Sequence, residues 1–500
     1  MLRTIVMTTL TVTTVVVMGL SLPAASPSAA VDTVDVPTYN VDTPTYNEHI
    51  GQLLFDNCAS CHRPNQIAPM SLLSYQDARK WARAIKAKVV AREMPPWFAD
   101  PEFGEFSNDI SLSDEEIATI VEWVDGGAPE GDGAAPQAPR FSEAGWSHPS
   151  GREPDFIYEF PIEWQVDADG ESPNFNLFTE LPFDEEIRVE ATEVRPGNYA
   201  ATHHIVTRLF NIPPGMMIGT GPAWPGGPVV DYVLVEDPDY VEPEDDEDSE
   251  DGEDSEDVDE ASSAGFGAYI PGVGAAVTPQ GQMRSIRGDA FNAIVWNLHY
   301  QATGQPETAR PAIGVWFATE EATTVSRTLS LQETTSEGEQ LVAPPPAGIF
   351  GRLAAGLRAQ AGQGLNPLLD PIPPNEGNWT VTGIGAIQND SYIQSLFVHA
   401  HLRGKDFTFV LTYPDGREEI LLRVENYSFD WQFSYDLAEP IMAPAGSTVK
   451  VISRYDNSRA NRRNPAPHRE VYWSEQSWDD MFLTNITYTL VEEDRPIAQD

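Results

Sequence analysis

Cys58-Ala59-Ser60-Cys61-His62 decides how the N-terminal part of this 500-residue chain is read. Two thiols at this spacing bond the vinyl groups of a porphyrin, and the adjacent imidazole supplies an axial nitrogen to its iron, so the motif predicts one covalently held c-type haem. A zinc half-site would need further cysteines, and the chain has only these two. A redox Cys-x-x-Cys would need a βαβ setting. Neither requirement is met.

Outward from the motif the pattern is helical. Apolar residues recur near every 3.6 positions at His49, Ile50, Leu53 and Leu54, at Ala78, Trp81, Ala82, Ile85 and Val89, and at Ile117, Ile120, Val121 and Val124, which predicts three amphipathic helices. Ser113 followed by Glu115 and Glu116 suits the start of the last helix, and Gly126-Gly127 its end. The sixth iron ligand is expected from Met94, in Met94-Pro95-Pro96-Trp97 at the end of the middle helix. Met70 competes, but only eight residues separate it from His62, which leaves little chain to wrap the ring. The unit, placed at residues 40–135, resembles the class I cytochromes c, which are electron carriers. Methionine and histidine ligation raises the haem potential.

Further out on the N-terminal side, Arg3, an apolar run from Thr4 to Leu22 and the small residues Ser28, Ala29 and Ala30 have the build of a secretory signal peptide over 1–30. An uncleaved anchor is the competing reading of the same run. No later stretch is apolar enough to span, so the expectation is a periplasmic or secreted protein with no membrane span once the signal is removed. Thirty Lys and Arg against 77 Asp and Glu give a net charge of -47, which repels phosphate backbones and excludes nucleic acid as a partner. Seventeen of the acidic residues lie between Glu236 and Glu260. That run reads as a solvated, disordered loop over 236–262.

After a Pro, Gly and Ala linker at 131–139, the texture changes to short alternating strands with turn punctuation, as at Pro414-Asp415-Gly416 between Phe407–Tyr413 and Glu418–Val424. The length suits two β modules, at 150–340 and 341–500, joined around Pro344 to Pro374 with a short helix near Leu353 to Ala361. Five of the nine histidines fall here in three motifs: His203-His204, His299, and His399-Ala400-His401. Imidazole pairs and triads suit copper or zinc. His399 and His401 share a strand face, whereas His203 and His204 point apart and can meet one ion only at a strand end or bulge. Asn297, two residues before His299, is a candidate to orient the imidazoles. His49, His148 and His468 lack ligand-spaced partners, and Met216-Met217 reads as an apolar loop.

In this order, followed by Met481 in Trp478-Asp479-Asp480-Met481-Phe482, the motifs over Pro154 to Glu492 resemble the copper type II, ascorbate-dependent monooxygenases. That group contains the peptidylglycine α-hydroxylating and dopamine β-monooxygenases. The resemblance implies two antiparallel β-sandwiches of the jelly-roll kind behind the helical cytochrome, each binding one copper across a solvent-filled cleft. By it, His203, His204 and His299 hold the electron-transfer copper, and His399, His401 and Met481 the catalytic copper that meets dioxygen. A thioether beside two imidazoles favours Cu(I). Two family positions differ. The Arg that holds a substrate carboxylate two residues before His-x-His is Phe397 here, and the Tyr four after the Met is Asn485. Both argue against a glycine-extended peptide as substrate.

The expected function is hydroxylation of a C–H bond of a small organic substrate by O2. The fused haem would relay electrons towards His203, His204 and His299 from an external donor, an ascorbate-like reductant or a redox protein. A haem and copper carrier without turnover keeps the same ligands and is the alternative. A zinc hydrolase would need a general base near an open metal position, and no HExxH-like helix occurs.

Overall fold

The computed structural model describes residues 43–64, 66–140, 145–170, 173–241, 263–271, 273–319, 321–334, 370–474 and 476–492. The proposed signal segment, most of the acidic run and the helix expected near Leu353 to Ala361 lie outside the described residues. A helical region is followed by a large all-β region. Among the described residues no helix is long and apolar enough to cross a membrane.

A π-helical turn, Tyr46–Ile50, runs directly into the helix Gly51–Asn57 that delivers the Cys58 motif. The helices Tyr75–Val90 and Asp114–Asp125 follow. Ser113 caps the last of them in a reciprocal box, its hydroxyl accepting the Glu116 N–H while the Glu116 carboxylate accepts the Ser113 N–H, a cap worth about 1 kcal/mol. Tyr46, Ile50, Leu54, Ala78, Ala82, Ile85, Val89, Ile120 and Trp123 make one buried cluster. Trp81, assigned to the buried face by periodicity, is 36% exposed. The aromatic that is buried instead is Trp97, beyond the helix in the connecting segment.

In the first β set, the strands Phe156–Glu159, Ala312–Phe317, Glu186–Arg195, Gln282–Arg287 and Thr324–Val325 lie side by side in that order, and Ala276–Val277 also pairs with Glu186–Arg195. A four-stranded sheet orders Phe175–Glu180, Ala293–Tyr300, Thr202–Phe210 and Ser263–Tyr269. Val189, Val194, Ile313 and Val315 of one sheet share a core with Ile205, Leu209, Ile294, Trp296 and Leu298 of the other. Ladders are antiparallel except between Gln282–Arg287 and Thr324–Val325. Met216-Met217, expected in a loop, starts the strand Met216–Pro222, which pairs with Val229–Glu236 as a two-stranded ribbon. Val235 and Leu234 there supply apolar partners that local reading could not locate.

The second set pairs Arg327–Ser330, Leu483–Leu490, Ser391–His399 and Ser434–Ala443 in one sheet. Its companion orders Gln332–Thr334, Trp379–Ala386, Thr448–Tyr455, Gly404–Thr412 and Glu418–Val424. Phe407, Phe409, Leu411, Val449 and Val451 pack against Ile393, Leu396, Val398, Tyr435 and Ile486. The boundary expected at 341 is therefore too late. Residues 327–334 already hydrogen-bond into the second set, where Leu331 is buried.

Candidate redox and metal site

At the N-terminal site, helix Gly51–Asn57 ends on Cys58, and the His62 N–H returns to the Cys58 carbonyl at 2.9 Å. Both thiols are free, and burial pushes them up, Cys58 to about 12. His62 Nδ1 donates to the Met70 carbonyl at 3.3 Å. This hydrogen bond fixes the tautomer and leaves Nε2 with a lone pair to offer. Burial also lowers the His62 pKa, so the imidazole is neutral as a ligand must be. The chemistry of this donor set fits a covalent haem.

The first histidine cluster depends on an irregular ladder. His299 pairs with His204, but the next residue, Tyr300, pairs with Thr202, so His203 is the extra residue of a β-bulge. The bulge turns an adjacent pair that would point apart in a regular strand onto one side. Ligand-capable atoms of His203, His204 and His299 all lie within 4.8 Å of one another. His203 Nδ1 is 3.2 Å from His204 Nδ1. His204 Nε2 donates to Asn297 Oδ1 at 3.3 Å, and Asn297 Nδ2 donates to Asn176 Oδ1 at 2.9 Å. Asn297 thus serves His204 across the ladder, through a bond that leaves His204 Nδ1 as acceptor.

Burial lowers the His299 pKa to about 3 and that of His203 less far. His204 falls well below its ordinary value through burial first and then through repulsion from the other imidazoles. His299 Nδ1 is buried without a hydrogen-bond partner. An orphaned lone pair beside two more neutral imidazoles is a donor set for a soft or borderline metal cation.

The second cluster forms at a strand end. Ser391–His399 stops at His399, so shared strand periodicity, the basis of the sequence reading, does not extend to His401. A carboxylate holds His401 instead. Asp480 Oδ1 accepts the N–H of His401 and the N–H of Met481, both at 2.9 Å, and its Oδ2 accepts the N–H of Arg403 at 2.9 Å. His401 and Met481 are eighty residues apart in sequence, yet their backbones meet on a single oxygen. The two rings, His399 and His401, have centroids 5.1 Å apart and stand nearly perpendicular. His399 Nδ1 donates to Gln432 Oε1. Burial brings His399 to about 4 and His401 well below its ordinary value. His401 Nδ1 is buried without a partner.

Phe429 joins the clusters. Its ring stacks on His203 at 4.6 Å and lies 5.4 Å from His401 and 6.4 Å from His399. Where the resemblance implies a solvent-filled cleft, a buried aromatic stands between the two histidine sets. The two β sets also clasp directly. Asn174 N–H donates to Gln476 Oε1 at 3.0 Å, and Gln476 Nε2 donates back to the Asn174 carbonyl at 2.9 Å. A cavity of about 370 Å³ is lined by His401, Tyr427, Phe429, Lys405, Arg462 and Arg463.

Sequence reading missed Phe429, Gln432 and Asp480. Only Asp480 carried a local signal, its place beside Met481. His148, left aside, is buried with Nε2 3.3 Å from Glu190, and His49 Nδ1 accepts the Thr45 N–H.

A family model described as Cytochrome c matches residues 49–127. This domain supports one covalent haem c, held at Cys58 and Cys61, and electron transfer by it. No curated protein matches the chain. Among solved structures, one titled "Structure of allantoicase" aligns at 9% identity and a TM-score of 0.15, covering 60% of this chain and 81% of that one. "Structure of PNGF-II in P21 space group" aligns at 8% and 0.25, covering 67% and 65%. Scores this low define no shared fold.

Proposed function

We propose that this chain is a two-copper monooxygenase with a built-in haem donor, hydroxylating a C–H bond of a small organic substrate with O2. The observation that carries it is the pair of neutral, buried histidine sets, His203, His204 and His299 on one side of Phe429 and His399 and His401 on the other. Copper would supply the one-electron chemistry and the contact with O2. His203, His204 and His299 would hold the first ion, and His399, His401 and Met481 the second.

The chain's own residues do the rest. Asn297 and Gln432 take up the outer N–H of His204 and His399 and so aim the opposite nitrogens inward. Asp480 draws His401 and Met481 together. The cavity beside His401 would seat the substrate, with Phe429 and Tyr427 excluding water and Lys405 and Arg462 at hand for a polar end. Each β set reads as a sandwich of the jelly-roll kind. Met94 is the sixth haem ligand in this reading. Met70 gives its carbonyl to the His62 imidazole, and Met94 would offer its thioether to the iron. The reading also places the mature protein in a periplasm or outside the cell, served by an ascorbate-like reductant or a redox protein.

Metal analysis and O2 uptake test it together. Two coppers and one haem per chain, with one copper lost on His399→Ala plus His401→Ala and uptake matched by hydroxylated product, is the expected result. Zinc, or no metal beyond iron, overturns it. Copper with reductant oxidation but no product leaves the carrier instead.

A further inference from the structure

The cytochrome region does not dangle from a linker. Its segment from Trp97 to Ile110 is packed into the second β set. Asp100 N–H donates to the Arg423 carbonyl, Ser107 N–H to that of Asp436, and Ala438 N–H back to that of Glu105, each at 2.8 Å. Asn108 Nδ2 donates to the Ser434 carbonyl at 2.8 Å. Trp97, three residues beyond Met94, is 9% exposed, with its ring 4.9 Å from Tyr435 and 6.0 Å from Phe433. Phe433 is bonded in sequence to Gln432, the hydrogen-bond partner of His399. Gln432 Nε2 in turn donates to the Phe429 carbonyl at 2.8 Å, and the Phe429 ring stacks on His203. Ser428 and Trp431 close the segment into a turn by a β-bridge, and Arg463 staples it through Ser428 Oγ and Asp430.

From this continuity we infer that the turn Ser428-Phe429-Asp430-Trp431-Gln432-Phe433 is the electron junction of the molecule, taking electrons from the cytochrome at Phe433, passing them to the His399 centre through Gln432, and linking that centre to His203 through Phe429. This rests on the two-copper reading, and it reverses the expected order, in which the haem feeds the His203, His204 and His299 set first. The step is a bare electron transfer. Ferrous haem becomes ferric, one Cu(II) becomes Cu(I), no bond or proton changes, and an external one-electron reductant restores the haem. The haem motif also faces the first β set. A cavity of about 290 Å³ there is lined by Cys61 together with Tyr199 and Tyr269 of the first β set. From it a route runs through Tyr269, which pairs in the ladder with Ile205, the residue bonded to His204, and this route serves as the internal rival.

Flash photoreduction of the oxidised, copper-loaded full chain under argon separates the two. Haem absorbance times the electron's departure, and the Cu(II) resonances of the two sites time its arrival. Phe433→Leu is expected to slow haem reoxidation about tenfold, while Phe433→Tyr, which keeps the ring, holds the original rate. Phe429→Leu leaves haem reoxidation unchanged and slows exchange between the two copper signals about tenfold. Both leucine variants keep the haem spectrum and two coppers. Unchanged kinetics in both, or slowing by Tyr269→Leu instead, overturns the junction while leaving the two-copper reading intact. If the unsubstituted chain binds no copper, or its haem never loses the electron, the reading beneath the junction fails.

Discussion

The two histidine sets solve one problem, bringing imidazoles together in a buried place, by different means. The His203 set is assembled within a single ladder, where a bulge reorients one residue of an adjacent pair and the neighbouring strand supplies His299. The His399 set is assembled where a strand stops, and its second imidazole and its methionine are positioned by hydrogen bonds to Asp480, a residue of neither strand. Backbone geometry shapes the first set and a side chain shapes the second. The difference predicts that the second set is the more easily disturbed from outside, which suits the proposed catalytic centre, whereas the proposed electron-transfer set would need only to cycle an electron.

Removing ligands breaks the comparison most severely. His204→Ala should empty the first set alone and His401→Ala the second alone, each chain retaining one copper and an unchanged haem spectrum by elemental analysis and absorbance. Hydroxylation should fall by more than the about 10–100-fold that loss of a ligand's supporting partner causes. If either substitution removes both coppers, the sets are not independent and the comparison collapses.

Next comes Asp480→Asn. The amide must turn an NH2 group towards one of the N–H donors of His401, Met481 or Arg403, leaving a buried donor unpaired at about 1–3 kcal/mol. Copper affinity at the second set should drop with that tether, and the first set should keep its own, as competitive chelation read at each site would report. Equal weakening of both would mean that Asp480 supports the fold at large and not Met481 and His401 in particular.

Gln432→Leu and Asn297→Leu compare the two sets at the level of their supporting groups. Each removes the acceptor for one imidazole N–H, so each should cost its own set about 10–100-fold in copper affinity. The effect on O2-coupled product formation should be larger for Gln432→Leu, because His399 and not His204 belongs to the proposed catalytic set. Product formation equally impaired by both would mean that electron supply, not the catalytic set, limits turnover.

How far these sets were legible follows from the same contrast. The Cys58 motif and the helix repeats are local, so the haem region could be read from spacing, and even the need for a bulge at His203-His204 follows from the two-residue period of a strand. Trp81 and Trp97 mark where this ends. Periodicity placed Trp81 inside, and it is 36% exposed because the helix already buries Ala78, Ala82 and Ile85 on its narrower contact face. Trp97 lies on no repeat, and its partners Phe433 and Tyr435 are over three hundred residues away. Phe429 and Gln432 were illegible for the same reason, and Asp480 showed only its place beside Met481. Each acts through a contact across loops whose proximity only the completed β sets create. The early start of the second set at 327–334 was hidden because a strand's partner cannot be inferred from its own alternation.

The smallest expected effect probes how the cytochrome sits on the second set. Burial raises the Asp436 carboxyl above its ordinary range, although the Ser395 hydroxyl donates to Oδ1 at 2.7 Å. Its N–H donates to Asn108 Oδ1 in the docking segment. A carboxyl with a raised folded pKa holds its proton more tightly folded than unfolded, so its contribution to stability is present below the unfolded pKa and is lost as pH rises through the folded one. Asp436→Asn keeps the oxygen that accepts from Ser395 and removes the titration. Its unfolding free energy, from denaturant titration, should match the parent's at low pH and exceed it slightly at neutral pH, by less than the about 1 kcal/mol typical of a point substitution. A parent and variant that fall in parallel across that range would show that the carboxyl is as well solvated in the fold as out of it. The docking face would then be an open, weakly held surface and not the buried seam from which Trp97 reaches the turn at Phe433.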